Sequence, residues 1–167
     1  MRKISNDQFN IKYSLYKDMI YNIAYTYCHN VTDADDIVQD VFMKYLKSNE
    51  YFETLANEKY WLIRVSINTS ITYLKKAWKQ KVILDNEKVF LSPNINKKDD
   101  YSEIFECVFE MPNKYKDVII LYYYEDLNIE EISTALKISK ANVKKRLERG
   151  RNYIKEKVKK WMILIER

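Results

Sequence analysis

The residues best suited to bind something are cations near the carboxyl end. Between Lys137 and Lys160 the chain holds eleven Lys and Arg against two acids, Glu148 and Glu156. That density suits the phosphates of a duplex, because each cation that meets a phosphate releases a condensed counterion. Helical numbering turns Val143, Leu147, Gly150, Ile154, Val158 and Trp161 to one side and leaves Lys140, Asn142, Lys145, Arg146 and Arg149 outward. Arg and Lys can address guanine and Asn can address adenine on major-groove edges, so DNA is the ligand this segment fits. Ser139 stands just before it, where a hydroxyl can cap the helix.

A second group differs in sign. Asp36, Gln39, Asp40 and Met43 fall at i, i+3, i+4 and i+7 and form one narrow acidic strip. Such a strip repels phosphate; it is either a solvated face or a surface for a basic protein partner. No catalytic constellation accompanies these groups, since the chain has one histidine, His29, and one glycine, which rules out a Gly-rich phosphate loop. Cys28 and Cys107, far apart and with a single His, cannot complete a zinc site and are expected to be buried, reduced thiols. No enzyme activity, metal, cofactor or small-molecule substrate is expected.

These residues need helices to position them. One Gly and two Pro leave little to build hairpins, so the chain reads as all-α. Leu15, Met19, Ile20, Ile23 and Tyr27 mark a first amphipathic helix. In the second, Val31, Ala34, Ile37, Val38, Val41, Phe42, Tyr45 and Leu46 make an apolar stripe, with Thr32 as its expected cap. A third runs over about 60–78 and ends in the basic run KKAWKQK. Residues 83–104 lose the periodicity and read as a linker. Beyond it, 115–126 reads as a helix, Asn128 and Glu131 open another with a capping-box pattern, and Ser139 opens the long basic one. Two short helices joined by a tight turn, the second basic, make a helix-turn-helix.

Charge divides the same way. Residues 1–84 hold 12 Lys/Arg against 9 Asp/Glu, 85–110 hold 3 against 7, and 111–167 hold 14 against 8. The longest uncharged stretch, Met19 to Thr32, is too short and too polar to enter a bilayer, so no direct membrane insertion is expected. The start MRKISNDQFN lacks an apolar signal core, which points to the cytoplasm.

Three segments carry a family resemblance. DADDIVQDVFMKYL resembles the region-two helix of bacterial RNA polymerase sigma factors of the extracytoplasmic-function (ECF) group, with Asp35, Asp36, Ile37, Val38, Gln39, Asp40 and Phe42 on the family pattern. YWLIRVSINTSITYLKKAWK is similar to the stretch that opens and reads the −10 element, with Trp61, Leu62, Arg64, Asn68 and Leu74 at matching spacing. MPNKYKDVIILYYYEDLNIEEISTALKISKANVKKRLERGR is similar to region four, the −35 reader. Thr72, Lys137 and Gly150 depart from the pattern, standing where Asp, Gly and Ala are usual.

The resemblance implies two helical domains, 1–82 and 105–167, joined by an acidic linker over 83–104 that lies in a basic polymerase channel. The acidic strip of Asp36, Gln39, Asp40 and Met43 would then bind core RNA polymerase. Tyr60, Trp61, Arg64, Asn68, Lys75 and Lys76 would hold the melted −10 strand, since planar groups stack on bases and cations hold the backbone. For Trp61, core packing is the preferred reading over base stacking. Ser139, Lys140, Asn142, Lys145, Arg146 and Arg149 would engage the −35 duplex of promoter DNA. An anti-sigma factor is a further implied partner. The alternative is a conventional helix-turn-helix repressor or activator, which the basic helix satisfies equally but which leaves the acidic strip unexplained.

Overall fold

The computed structural model describes residues 4–84 and 101–165, with side chains over 4–80 and 104–159. Among the described residues every regular element is helical: α1 (Asn6–Cys28), α2 (Val31–Lys47), α3 (Leu55–Leu84), α4 (Tyr101–Glu110), α5 (Asn113–Tyr123), α6 (Ile129–Leu136) and α7 (Lys140–Ile165). The chain divides into two compact helical units, Met1–Asn94 and Ile95–Arg167. Of the expected linker 83–104, residues 85–100 lie outside the described residues, while its ends, 83–84 and 101–104, belong to α3 and α4.

In the amino-terminal unit α1, α2 and α3 pack pairwise. A reciprocal capping box starts α1: the Ser5 hydroxyl accepts from the Gln8 N–H at 3.2 Å and the Gln8 side chain accepts from the Ser5 N–H at 3.0 Å. His29, left-handed at φ 53°, ends it, so the chain reverses within two residues. The cap of α2 is Asn30, whose side chain accepts from the Asp33 N–H at 2.9 Å; Thr32 lies inside the helix, exposed. The stripe of α2 is buried from Ala34 through Tyr45, but Val31 is 58% exposed, as is Leu15 of α1 at 57%. Periodicity marks which side is apolar; it does not say how far the neighbouring helices extend over that side.

One buried charge ties the unit together. Glu58 of α3, 4% exposed, accepts hydrogen bonds from Lys12 Nζ and Tyr45 Oη, both at 2.5 Å, and from Tyr16 Oη at 3.1 Å. Burial would raise its pKa, yet the bonds from Lys12, Tyr45 and Tyr16 prevail and hold the carboxyl below its ordinary value. All three helices therefore meet at one carboxylate. Ser66 and Ser70, also buried, return their hydroxyls to the carbonyls one turn back, at 2.7 and 2.8 Å.

In the carboxy-terminal unit α7 packs against α4, α5 and α6 around Val108, Met111, Ile119, Leu121, Ile132, Val143 and Leu147. Helix α4 is not legible in the sequence pattern. Its buried residues, Cys107 and Val108, with Met111 just beyond its end, make too short a stripe to stand out beside the polar run before it. The buried Lys116 donates to the Phe109 carbonyl at 2.6 Å, satisfying a group near the end of α4. Helix α5 starts and stops earlier than the expected 115–126: Pro112 precedes it, and beyond Tyr123 a left-handed Asp126 (φ 52°) lets the Leu127 N–H reach the Leu121 carbonyl at 3.0 Å. Asn128 and Glu131 form the expected capping box at 3.0 and 2.8 Å. Lys137 takes the left-handed turn conformation (φ 55°, ψ 45°) despite its side chain.

Gly150 has a packing reason. A Cβ there would lie 2.7 Å from Ile119 Cγ1 and 2.9 Å from its Cδ1, so α5 and α7 approach as they do because position 150 is bare. Ile154 and Val158 of the expected seam are half-buried, and Trp161 lies outside the described side chains.

Candidate nucleic-acid and polymerase interfaces

The first turn of α7 is fixed by Ser139, whose hydroxyl accepts from the Asn142 N–H at 3.2 Å. Lys140, Lys145 and Arg149 are exposed along the following turns, while Asn142 and Arg146 are half-buried rather than fully outward. Arg146 Nε donates to Asn142 Oδ1 at 3.0 Å. Arg149 reaches Tyr115 Oη at 3.4 Å, and that hydrogen bond is the chief reason the Tyr115 phenol lies below its ordinary pKa. Lys140 pairs with Glu130 at 2.8 Å across the turn, and this bond lowers the Glu130 carboxyl. Both partners are solvated, so a phosphate can displace the acid at little cost.

Two cations on this helix escaped the sequence reading. Lys144 is exposed and, with Lys140, lines an open groove of about 650 Å³ shared with Tyr122, Asn128 and Glu130. Arg151 sits 5.6 Å and 5.7 Å from the rings of Tyr122 and Tyr123 and donates to Tyr123 Oη at 2.7 Å. The spacing alone offered a signal for Lys144, one residue from Lys145; the Arg151 pairing depends on α5 and is not local.

On α2 the strip emerges intact: Asp36, Gln39, Asp40 and Met43 are all exposed, Met43 by 48%. One member is engaged. Tyr73 Oη of α3 lies 3.0 Å from Asp33 Oδ1 and 3.2 Å from Asp36 Oδ2, and burial together with the two carboxylates raises the Tyr73 phenol above its ordinary pKa. A groove of about 220 Å³ runs beside the strip between Asp40 and Met43 of α2 and Thr69, Thr72 and Lys76 of α3. Lys44 crosses it to Thr69 Oγ1 at 2.8 Å. Among the described residues no cluster of His, Cys, Asp and Glu could hold a metal ion. Cys107 is buried as expected, but Cys28 is only half-buried, its thiol 3.3 Å from the Asn30 carbonyl and raised in pKa by burial.

Along α3, Trp61, Arg64, Asn68 and Lys75 recur at steps of three, four and seven and so share a face, with Tyr60 beside it. Lys76 does not join them; it lines the groove with Asp40. Trp61 is half-buried, with ring centroids 5.7 Å from Phe52 and 6.2 Å from Tyr45. Its partial exposure beside these ring contacts leaves packing and stacking compatible there. Trp78, 65% exposed further along the helix, is a second flat surface that the family pattern did not single out.

The described geometry is matched by relatives on both units. The Sigma-70 region 2 family model matches residues 13–80, and the Sigma-70, region 4 family model matches 101–154. RNA polymerase sigma factor SigV of Bacillus subtilis is 36% identical over 137 residues, covering 81% of each chain. The ECF RNA polymerase sigma factor SigM of the same organism is 30% identical over 86% of this chain and 90% of its own. The chain belongs to the ECF RNA polymerase sigma factors. Its fold resembles that of sigma factor RpoE of Bartonella quintana, solved with the anti-sigma factor NepR, at a TM-score of 0.70 and 21% identity, over 91% of this chain and 97% of that one. In this ECF sigma factor the region-two match spans α1 to α3 and the region-four match ends within α7, past Arg151.

Proposed function

We propose that this sigma factor carries core RNA polymerase to promoter DNA through three separate surfaces and performs no chemistry of its own. The α2 strip of Asp36, Gln39, Asp40 and Met43 meets a basic surface of core polymerase. Tyr60, Trp61, Arg64, Asn68, Lys75 and Lys76 hold the melted −10 strand, with Lys76 at the edge nearest the strip. The α7 face of Ser139, Lys140, Asn142, Lys145, Arg146 and Arg149 sits on the −35 duplex. On this reading residues 1–82 form the polymerase- and −10-binding domain, 83–104 the linker and 105–167 the −35-binding domain.

The observation that carries the reading is the α2 strip: four exposed side chains backing an apolar stripe that is buried from Ala34 to Tyr45. A DNA-binding repressor has no use for a repulsive acidic face held so rigidly, whereas a subunit that must dock on a basic protein surface does. The site of action is the cytoplasm, where polymerase works, and an anti-sigma factor that covers the strip or the α7 face would silence the protein. Run-off transcription with purified core and a promoter template tests the proposal. Transcripts that depend on the added protein support it; duplex binding without any promoted transcription overturns it.

A further inference from the structure

The cations near the start of α7 are not equivalent. Lys140, Lys145 and Arg149 are exposed, but Arg146 is half-buried and restrained. Its Nε–H is spent on Asn142 Oδ1 at 3.0 Å, one turn back on the same helix. The terminal amino groups of the guanidinium remain as a planar fork, the arrangement that pairs with O6 and N7 of a guanine.

The Arg146 charge also acts on a carboxyl of the supporting helix. Helix α5 packs against α7 and carries Asp117, half-buried. Burial drives the Asp117 carboxyl up to about 7, and the charge that opposes this rise is Arg146. The restraint on the guanidinium is the Asn142 amide on its own helix.

This arrangement changes what Asn142 can do. Reading adenine requires its Oδ1 to accept from N6 while Nδ2 donates to N7. Here one of the two Oδ1 lone pairs already accepts from Arg146 Nε, which ties the amide to its own helix. Resting on the assignment of the α7 face to −35 duplex, we propose that Asn142 is a positioning residue which orients the Arg146 fork toward a guanine, and that it does not itself read a base.

The test is binding of holoenzyme, full-length protein with core, to a panel of duplexes in which each −35 base pair is replaced in turn, over a series of salt concentrations. Arg146→Lys keeps the charge and loses the fork, so discrimination at one G·C position falls by about five- to 150-fold while the salt slope stays unchanged. Asn142→Asp keeps an acceptor for Nε but cannot donate to adenine N7; it retains the guanine preference while affinity falls uniformly through phosphate repulsion. Asn142→Ala weakens discrimination at the same G·C position as Arg146→Lys and at no A·T position. Circular dichroism confirms that each variant is folded.

Loss of discrimination at an A·T position in Asn142→Ala and Asn142→Asp would show an adenine reader and overturn the proposal. Unchanged discrimination in Arg146→Lys would overturn it as well, leaving Arg146 a strut between helices. Wild-type holoenzyme that discriminates at no −35 position would refute the surface assignment itself, an outcome distinct from both.

Discussion

Gly150→Ala sets two magnitudes against each other. In an isolated helix the change stabilises by about 1 kcal/mol, because Gly loses more backbone entropy than Ala. In this protein the added methyl would meet Ile119 at 2.7 Å and 2.9 Å, well inside the carbon contact distance of about 3.5–4.0 Å. Ile119 is β-branched and 2% exposed, so it cannot swing aside without disturbing its neighbours, and overpacking of this kind costs about 1–3 kcal/mol. The net expectation is destabilisation by up to about 2 kcal/mol, on the order of several degrees in Tm for a unit of this size. Urea unfolding followed by circular dichroism measures it, with Ile119→Ala and the double variant completing a cycle. In the Ile119→Ala background, where the colliding atoms are gone, Gly150→Ala should reverse sign and stabilise. A stabilised Gly150→Ala single variant would refute the packing argument and return position 150 to its intrinsic helix propensity.

Buried charges and the basic face of α7 lead to further expected outcomes. Glu58→Ala leaves Lys12, Tyr16 and Tyr45 around an empty site and should cost about 3 kcal/mol in urea unfolding. Because the Glu58 carboxyl is held below its ordinary value, its contribution is present above about pH 4.5 and is lost as pH falls through the folded pKa; the variant should lack that part of the acid sensitivity. In the carboxy-terminal unit the signs oppose. Asp117, raised to about 7 from 3.8, takes up a proton on folding, so stability falls as pH rises from about 4 to 7. Lys116, lowered to about 8 from 10.5, gives one up, so stability rises from about pH 8 to 10. Stability measured by denaturant unfolding across this range should pass through a minimum near pH 7–8, and Asp117→Asn should remove the decline on its acid side. For DNA, replacing Lys145 and Arg149 by Ala should flatten the slope of log affinity against log salt by about 0.9 for each phosphate left without its cation, with the fold unchanged.

Much of this architecture was legible because it is local. The α2 stripe, the Asn128–Glu131 box and the Ser139 cap each depend on residues within one or two turns, and each is present where its spacing placed it. The acidic strip was legible for the complementary reason, since it is what remains when a buried stripe is subtracted from a helix. What escaped depends on partners distant in sequence. The Glu58 cluster joins residues 46 and 42 positions away on α1, and the Tyr73 bond to Asp36 spans 37. The apparent helix penalty at Gly150 became a packing requirement only once Ile119 lay against it. Arg146 was read as outward from its helical angle, which carries no information about the Asn142 bond and the partial burial it has here.

The central claim is that the α2 strip binds core polymerase, and a pull-down of core by the folded full-length protein tests it most directly. Asp36→Ala, Gln39→Ala and Asp40→Lys together remove no apolar contact, so helix content should match wild type. Breaking the pairing with a desolvated basic partner costs about 2–5 kcal/mol, enough to release core at working concentrations. A Lys145, Arg146 and Arg149 to Ala variant, altered only on the basic face of α7, should retain core. Release of core by the strip variant and retention by the second is the predicted result; equal retention by both would contradict the account.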